Sequence, residues 1–465
     1  MEVIGRRAEL ALLEDEYRSD KPGFLVVYGR RRVGKTFLVR EAFRGRLAFQ
    51  HTGYAKVGTR QQLERFNTSL ETWGGRAYPT APDWFQAFDQ LRDLIERQPE
   101  GRKVIFLDEL PWLDTKGSDF LSALEGFWNG WAAGRADILL IACGSATSWL
   151  ADKLFANKDG LYNRVTRRME LLPFTLGECE QLLVSRGVKY DRLQVLEAYL
   201  VFGGVPYYLE LFQGARSVAQ NVDALLFARN GTLRGEFDLL YSTLFHRPEP
   251  YMRTVRALAS TARGMPRANL AQAAGLSDGG GLTAVLDGLE QCGFIRRYLP
   301  PGRRSRDALY QLVDQFTLFW LKCVEGSTNE SEWTSGLGTG ERHARLGYAF
   351  ETACLNHVAQ VKAALGIAGV ATETYAWRGP SGAQIDLVLQ RADGITNLCE
   401  CKLAAKPFTV SADLATRLRL REAEFAEDRH AKGALHQTLI TPMGLAQGSY
   451  RGDIQSVVTL DELFA

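Results

Sequence analysis

Gly29, Gly34, Lys35 and Thr36 stand at the spacing G-x-x-x-x-G-K-T, directly after the apolar run Phe24 to Tyr28. Those residue types at that spacing could hold the phosphates of a nucleoside triphosphate. The loop Gly29, Arg30, Arg31, Arg32, Val33 and Gly34 turns its backbone N–H groups inward. A helix opening at Lys35, Thr36 and Phe37 adds the positive end of its dipole. Lys35 supplies a point charge toward the β- and γ-phosphates, and the Thr36 hydroxyl a ligand for Mg²⁺. ATP and Mg²⁺ are therefore the expected ligands.

A second run, KVIFLDELPWLD, reads as a buried strand from Val104 to Leu107 that ends in Asp108-Glu109. Ligands of an open α/β sheet collect at the carboxyl ends of its strands, so both acids are expected to face Lys35. Asp108 would hold Mg²⁺ through water, and Glu109 would polarise the attacking water as a general base. A third strand, ADILLIACGSATSWL, ends at Gly144-Ser145. Ser145 is placed to cap the helix that follows it, over residues 146–150.

These elements belong to a chain of 465 residues with 46% hydrophobic and 24% charged residues, enough for two to four domains with separate cores. No apolar run reaches membrane-spanning length and the first twenty residues are mixed with charge, which predicts a cytoplasmic protein with no membrane partner. Seven cysteines without a C-x-x-C pair argue for scattered buried thiols rather than disulfides or zinc. A net charge of +2 demands no nucleic-acid partner, so one would be held by a local basic patch.

With its three strand ends in hand, the amino-terminal part resembles the AAA+ ATPases. The resemblance makes Ser145 a sensor of the γ-phosphate and places Val3 and Ile4, in the leader VIGRRAEL, beside the adenine. LVFGGVPYYLELF resembles the helical lid of the origin-recognition and signalling branches, with Pro206 in its G-x-P signature. Arg164, in GLYNRVTRRMEL, falls where an arginine finger often sits, with Arg167 and Arg168 as competitors and surface charge as the plain alternative. A finger acting in trans would imply a homo-oligomer. No sensor-2 arginine is evident in the lid, which implies a slow ATP switch rather than a motor.

Beyond residue 235, three helices are expected at 249–262, 267–274 and 281–292, followed by a hairpin around a Pro-Pro-Gly tip. This resembles a winged helix, whose wing would carry Arg296, Arg297, Arg303, Arg304 and Arg306 against DNA phosphates. Packing against the lid or a partner is the alternative for that domain. GSTNESEWTSGLGTG, residues 326–340, reads as a linker.

After it come one amphipathic helix containing Glu351 and three strands, at 370–377, 384–390 and 396–404. Strand alternation puts Leu398, Glu400 and Lys402 on one face. A helix glutamate, Asp386 on one strand and Glu-x-Lys on the next resemble the PD-(D/E)XK nuclease core, although Ile385 stands where the name has proline. The resemblance makes Asp386 and Glu400 metal ligands, Lys402 the water-activating or charge-stabilising group, and Glu351 an auxiliary acid. Solvating charge at a sheet edge is the other reading of Glu-x-Lys.

The expected fold is thus α/β. It comprises a P-loop AAA+ core (1–175), a helical lid (176–235), a winged-helix domain (236–325), a linker (326–340) and a restriction-endonuclease-like domain (341–465). As a prokaryotic AAA+ ATPase with such a domain, the chain would be an ATPase whose nucleotide state controls Mg²⁺-dependent DNA cleavage. The alternative is a signalling or scaffolding ATPase whose nuclease-like domain is silent and only binds DNA or protein.

Overall fold

The runs FLVVY, VIFL and ILLIACG have no polar alternation, and such strands are stable only when both faces are covered. In the computed structural model, which describes residues 3–145, 147–155, 164–261, 264–299, 308–431 and 433–465, they are the inner strands of one sheet. Its members are β1 (Gly23–Tyr28), β2 (Leu47–Thr52), β3 (Lys103–Asp108), β4 (Ile138–Gly144) and β5 (Arg167–Glu170). All neighbours are parallel, in the order β2-β3-β4-β1-β5.

Alternate residues of these strands part into two cores. Phe24, Val26, Ile105, Leu107 and Leu140 pack with Phe66, Trp84, Phe88, Phe120 and Trp128 on one face. Leu25, Val27, Val104, Phe106 and Ile141 pack with Leu13, Leu38, Val39 and Phe43 on the other. Parallel pairing forces long crossovers and brings the strand ends to one edge. Because β4 lies between β1 and β3, the residues that leave those three strands (Gly29, Glu109 and Ser145) emerge side by side.

This sheet belongs to the first of two compact units, Met1–Leu172; the second is Pro173–Ala465. The second unit begins with helices, among them Leu176–Ser185 and Arg192–Phe202, the latter ended by Gly203 in the left-handed region at φ 68°. Gly204 follows at φ 68°, and a Cβ there would lie 2.2 Å from the Phe174 carbonyl oxygen, so no other residue fits.

Helices Pro248–Ala259, Arg267–Ala274 and Gly280–Gln291 precede an antiparallel hairpin of β7 (Ile295–Tyr298) and β8 (Leu309–Leu312). A two-residue strand, β6 (Met265–Pro266), adds to β8.

Residues 326–340 are packed. Trp333, in the short helix Glu332–Ser335, is 2% exposed. The Asp223 carboxylate accepts the Trp333 and Thr334 backbone N–H groups at 2.8 and 3.0 Å. Glu197 accepts the Trp333 indole N–H at 3.0 Å and pairs with Arg342. One tryptophan and two carboxylates hold a segment whose Gly/Ser/Thr content reads as a linker.

The last sheet runs β13-β12-β11-β10-β9, from β9 (Thr372–Arg378), β10 (Gln384–Arg391), β11 (Ile395–Cys401), β12 (Ala434–Ile440) and β13 (Ser456–Val458). The first three strands pair antiparallel, and β11, β12 and β13 pair parallel. The single helix expected around Glu351 is two helices, Gly340–Asn356 and Val358–Ala364. Buried His357 breaks it: Nε2 accepts the Leu176 N–H at 3.0 Å, and Nδ1 lies 2.8 Å from the Ala353 carbonyl. Holding that ring fixes the backbone at φ −114°, ψ 29°.

Candidate functional site

The loop after β1 takes its shape from three residues at positive φ: Gly29 (137°), Arg32 (70°) and Gly34 (91°). At Gly29 a Cβ would lie 2.4 Å from the Leu171 carbonyl oxygen, so the loop can lie against the end of β5 only as glycine. Helix Lys35–Ala42 starts there. Lys35 Nζ donates to the carbonyls of Gly29 (2.9 Å) and Arg30 (2.8 Å) and to the Ser145 hydroxyl (3.1 Å). The Thr36 hydroxyl meets both oxygens of Asp108, at 2.9 and 3.1 Å. A hydroxyl and a carboxylate converging on one point are the donor set Mg²⁺ prefers, so these residues fit the ion.

Glu109 sits next to Asp108 in the left-handed region (φ 48°, ψ 45°), strain that a non-glycine residue carries only where the surroundings hold it. Its Oε1 accepts the Ser145 hydroxyl at 3.2 Å. Burial raises its carboxyl above the ordinary range. Lys35 pulls it down, Asp108 pushes it up, and Ser145 and Arg31 pull weakly downward; burial wins.

Sequence reading missed Arg6. Its guanidinium donates to the carbonyls of Leu172 (2.6 Å) and Val33 (3.4 Å), tying the leader to the phosphate loop. The only sequence signal was an arginine in the leader. Val3 packs at the margin of the core beneath the loop, Ile4 is half-buried, and Phe37 is exposed at the start of the helix. Arg164 is exposed in a turn ahead of β5, where Arg167 pairs with Glu16 at 3.0 Å and Arg168 covers the Phe155 ring. Pro206 opens a short helix of the second unit.

A second cluster lies on the carboxy-terminal sheet. Between Ile385 and Val388, β10 has one residue more than β9, and Asp386 falls in that bulge. Gln384 Nε2 donates to Asp386 Oδ1 at 2.6 Å. Glu400, at the end of β11, has both oxygens engaged: Lys402 Nζ at 2.6 Å from Oε1, and Arg421 Nη1 at 2.6 Å from Oε2.

Burial and the charge of Glu400 raise the Asp386 carboxyl. Burial also pushes Glu400 up, but Arg421 and Lys402 outweigh it and hold the group below its usual range. For Lys402, burial lowers and Glu400, Glu351 and Asp386 raise; the carboxylates prevail, so the ammonium stays charged. That favours charge stabilisation over proton abstraction from water. Gln384, which opens β10, and Arg421, on helix Ala412–Arg429, had no sequence signal that set them apart from other polar residues.

A metal does not fit this arrangement as it stands. Glu400 is saturated by two cations of its own chain. Among the described residues, no group of three or more His, Cys, Asp or Glu could hold a metal ion.

The arginines expected on the wing divide. Arg296 donates to the Leu355 carbonyl at 2.9 Å, at the carboxyl end of helix Gly340–Asn356, where a cation meets the negative end of the dipole. Arg297 faces Glu290. Arg303, Arg304 and Arg306 lie outside the described residues. Also among the described residues, no helix is long and apolar enough to cross a membrane.

Comparison with known proteins bears on the amino-terminal part of the chain. Residues 4–212 match the model of a family of ATPase domains found predominantly in Archaea. An uncharacterized protein of Methanocaldococcus jannaschii is 26% identical over 327 residues, covering 69% of this chain and 68% of that protein. An uncharacterized ATP-binding protein of the same organism is 42% identical over 38 residues, 8% of this chain and 64% of that one. The Walker-type ATPase of Pyrococcus abyssi has a similar fold, with TM-score 0.51 and 18% identity over 69% of this chain and 96% of that one. The chain carries an archaeal-type ATPase domain built on a parallel-sheet P-loop core.

Proposed function

We propose that this protein is an AAA+-type ATP-hydrolysing switch whose nucleotide state controls a carboxy-terminal PD-(D/E)XK-like domain acting on DNA. The observation that carries the ATPase half is the convergence of Lys35, Thr36, Asp108, Glu109 and Ser145 at the carboxyl ends of three adjacent strands. In this reading the loop 29–34, Lys35 and Arg31 hold the triphosphate, and Phe37, Val3 and Ile4 border the nucleotide. Thr36 and Asp108 hold Mg²⁺, which neutralises charge on the phosphates when bound. Glu109 takes the proton of the attacking water, and Ser145 senses the γ-phosphate. Arg164 is the candidate finger from a second copy.

The nuclease half is supported by the antiparallel-then-parallel sheet, by Asp386 in a bulge beside Glu400 and Lys402, and by carboxyl groups driven in opposite directions. The hairpin β7–β8 with its three helices supports a winged-helix reading of 236–325, with a wing reaching DNA through Arg297, Arg303, Arg304 and Arg306. A second reading has an observation of its own: with both Glu400 oxygens ion-paired, the domain binds nucleic acid or protein without cutting it.

The two readings separate in one experiment. Plasmid and linear DNA are incubated with Mg²⁺ or Mn²⁺, with and without ATP, using wild type, Lys35→Ala and Asp386→Ala. ATP-dependent cleavage lost in both variants supports nucleotide control of a nuclease. Absent cleavage with retained DNA binding establishes the second reading.

A further inference from the structure

We propose that the β7–β8 hairpin is a built-in cover of the carboxy-terminal site, laid against it by one face and held shut through Arg296. The inference deepens the proposed nucleotide control by naming the element that would move, and it does not rest on cleavage.

Directly opposed residues of an antiparallel pair share a face, and in this hairpin Arg296 stands opposite Gln311 and Tyr298 opposite Leu309. Arg296 and Tyr298 are two apart on one strand, so they point the same way. On helix Gly340–Asn356, Tyr348, Glu351 and Leu355 follow at three- and four-residue spacing and form one stripe. The two surfaces meet. Arg296 Nη2 donates to the Leu355 carbonyl at 2.9 Å and to Asn356 Oδ1 at 3.4 Å, and Gln311 lies against the Tyr348 hydroxyl. At the root of the hairpin, Gln315 Nε2 donates to the Ala349 carbonyl at 2.8 Å.

Asp386 borders the same contact. Burial raises the Tyr298 and Tyr348 phenols and the charge of Asp386 adds to both, although Arg296 pulls Tyr298 down. Glu351 acts likewise on Tyr348 and on Lys402. Tyr298 is 5% exposed, while Asp386, Glu351 and Glu400 are each only part-exposed, so a polymer reaches them poorly as they stand. The two attachments of the hairpin differ in strength. Gln315 is buried, whereas Arg296 is part-exposed and holds a backbone carbonyl, a bond that water replaces at modest cost. The end of the hairpin at Tyr298 can therefore lift while its root stays in place.

Oxidation of tyrosines by hydroxyl radicals, read by mass spectrometry, reports the cover directly. The full chain is compared as wild type, Arg296→Ala and Arg297→Ala, the last removing a neighbouring charge from the other face of the strand. Tyr54, 46% exposed, is the internal reference. Loss of one charge-assisted hydrogen bond should raise oxidation of Tyr298 and Tyr348 about fivefold in Arg296→Ala, with Tyr54 unchanged. Arg297→Ala should match the wild type. Amidation of Asp386 by a carbodiimide and glycine methyl ester, in mildly acidic buffer, should rise in Arg296→Ala alone.

Equal protection of Tyr298 in wild type and Arg296→Ala would overturn the proposal. Equal exposure in the two arginine variants, or exposed tyrosines with Asp386 no more reactive, would do the same. Should thermal unfolding show Arg296→Ala to be misfolded, Arg296→Gln decides by the same outcomes. If Arg296→Ala uncovers Tyr298 but ATP leaves the wild type closed, nucleotide control fails and the cover stands. If the uncovered protein cuts no DNA with Mg²⁺, the nuclease reading fails and the cover stands.

Discussion

The Ser145 hydroxyl donates to Glu109 Oε1 at 3.2 Å while accepting from Lys35 Nζ at 3.1 Å. The base expected to activate water is thus joined, through one hydroxyl, to the lysine expected to hold the phosphates. In the proposed mechanism, a nucleotide that draws Lys35 away would also change what Ser145 does for Glu109.

Glu109→Gln keeps the shape and removes the base. Hydrolysis should fall by about 10²–10⁴-fold, with ATP still raising the unfolding temperature. A base works deprotonated, so activity is lost as pH falls through its folded value. Since burial raises that value, the acid limb of kcat should lie above the ordinary glutamate range of about 4.3. Ser145→Ala deletes a hydrogen bond that pulls the carboxyl down, so its limb should move further up. A limb that stays put in phosphate-release assays from pH 5 to 9 would remove Ser145 from this role.

Gly29 and Gly34 both sit at positive φ, but only Gly29 has backbone in the way of a Cβ. Gly29→Ala should lose roughly 2–4 kcal/mol of stability and all ATP-dependent thermal shift. Gly34→Ala meets nothing within 4 Å. It carries conformational strain alone, about 1–2 kcal/mol. Equal losses in urea unfolding would mean that contact with Leu171 does not matter.

His51 is buried on β2, with Nδ1 2.8 Å from the Ser69 hydroxyl, and burial pushes its ring down to about 4. An unfolded histidine takes a proton near pH 6.5, about two and a half units earlier. The stability it allows is complete above that pH and declines as pH falls from about 6.5 to 4, by roughly 3 kcal/mol in all. His51→Gln should flatten this part of the profile. Parallel acid losses in the urea midpoints of both proteins between pH 7 and pH 4.5 would exclude it.

Asp223→Ala frees two backbone N–H groups beside buried Trp333. At about 1–3 kcal/mol for each buried donor left unpaired, residues 326–340 should loosen. Limited proteolysis reads this directly: the wild type should resist cleavage there and the variant should be cut. Cleavage at the same rate in both would show the segment to be held by something other than Asp223.

Much of the first site was legible because its parts are local. The strand before Gly29, the loop and the helix at Lys35 are encoded within twenty residues, and the unbroken apolar runs of β3 and β4 announce burial on both faces. The helix Arg267–Ala274 and the core of the β7–β8 hairpin were readable for the same reason. Composition misled at residues 326–340, since one buried tryptophan outweighs a Gly/Ser-rich surrounding. Periodicity likewise carried the helix around Glu351 through His357, because nothing local announces that a ring will cap the helix at Leu176.

By itself the sequence determined the phosphate loop, the paired acids after a buried strand and the strand that carries Glu400, although that strand ends at Cys401 and leaves Lys402 just beyond it. Tertiary structure decided the rest. Ser145 meets Glu109 across 36 residues and Lys35 across 110; Arg6 reaches Leu172 across 166; Asp223 holds Trp333 across 110. Arg421 is brought to Glu400 by one helix laid on the sheet. The reason is physical. Spacing along a strand or loop is fixed by local covalent geometry, whereas these partners depend on which strands are neighbours and which buried charges remain to be answered.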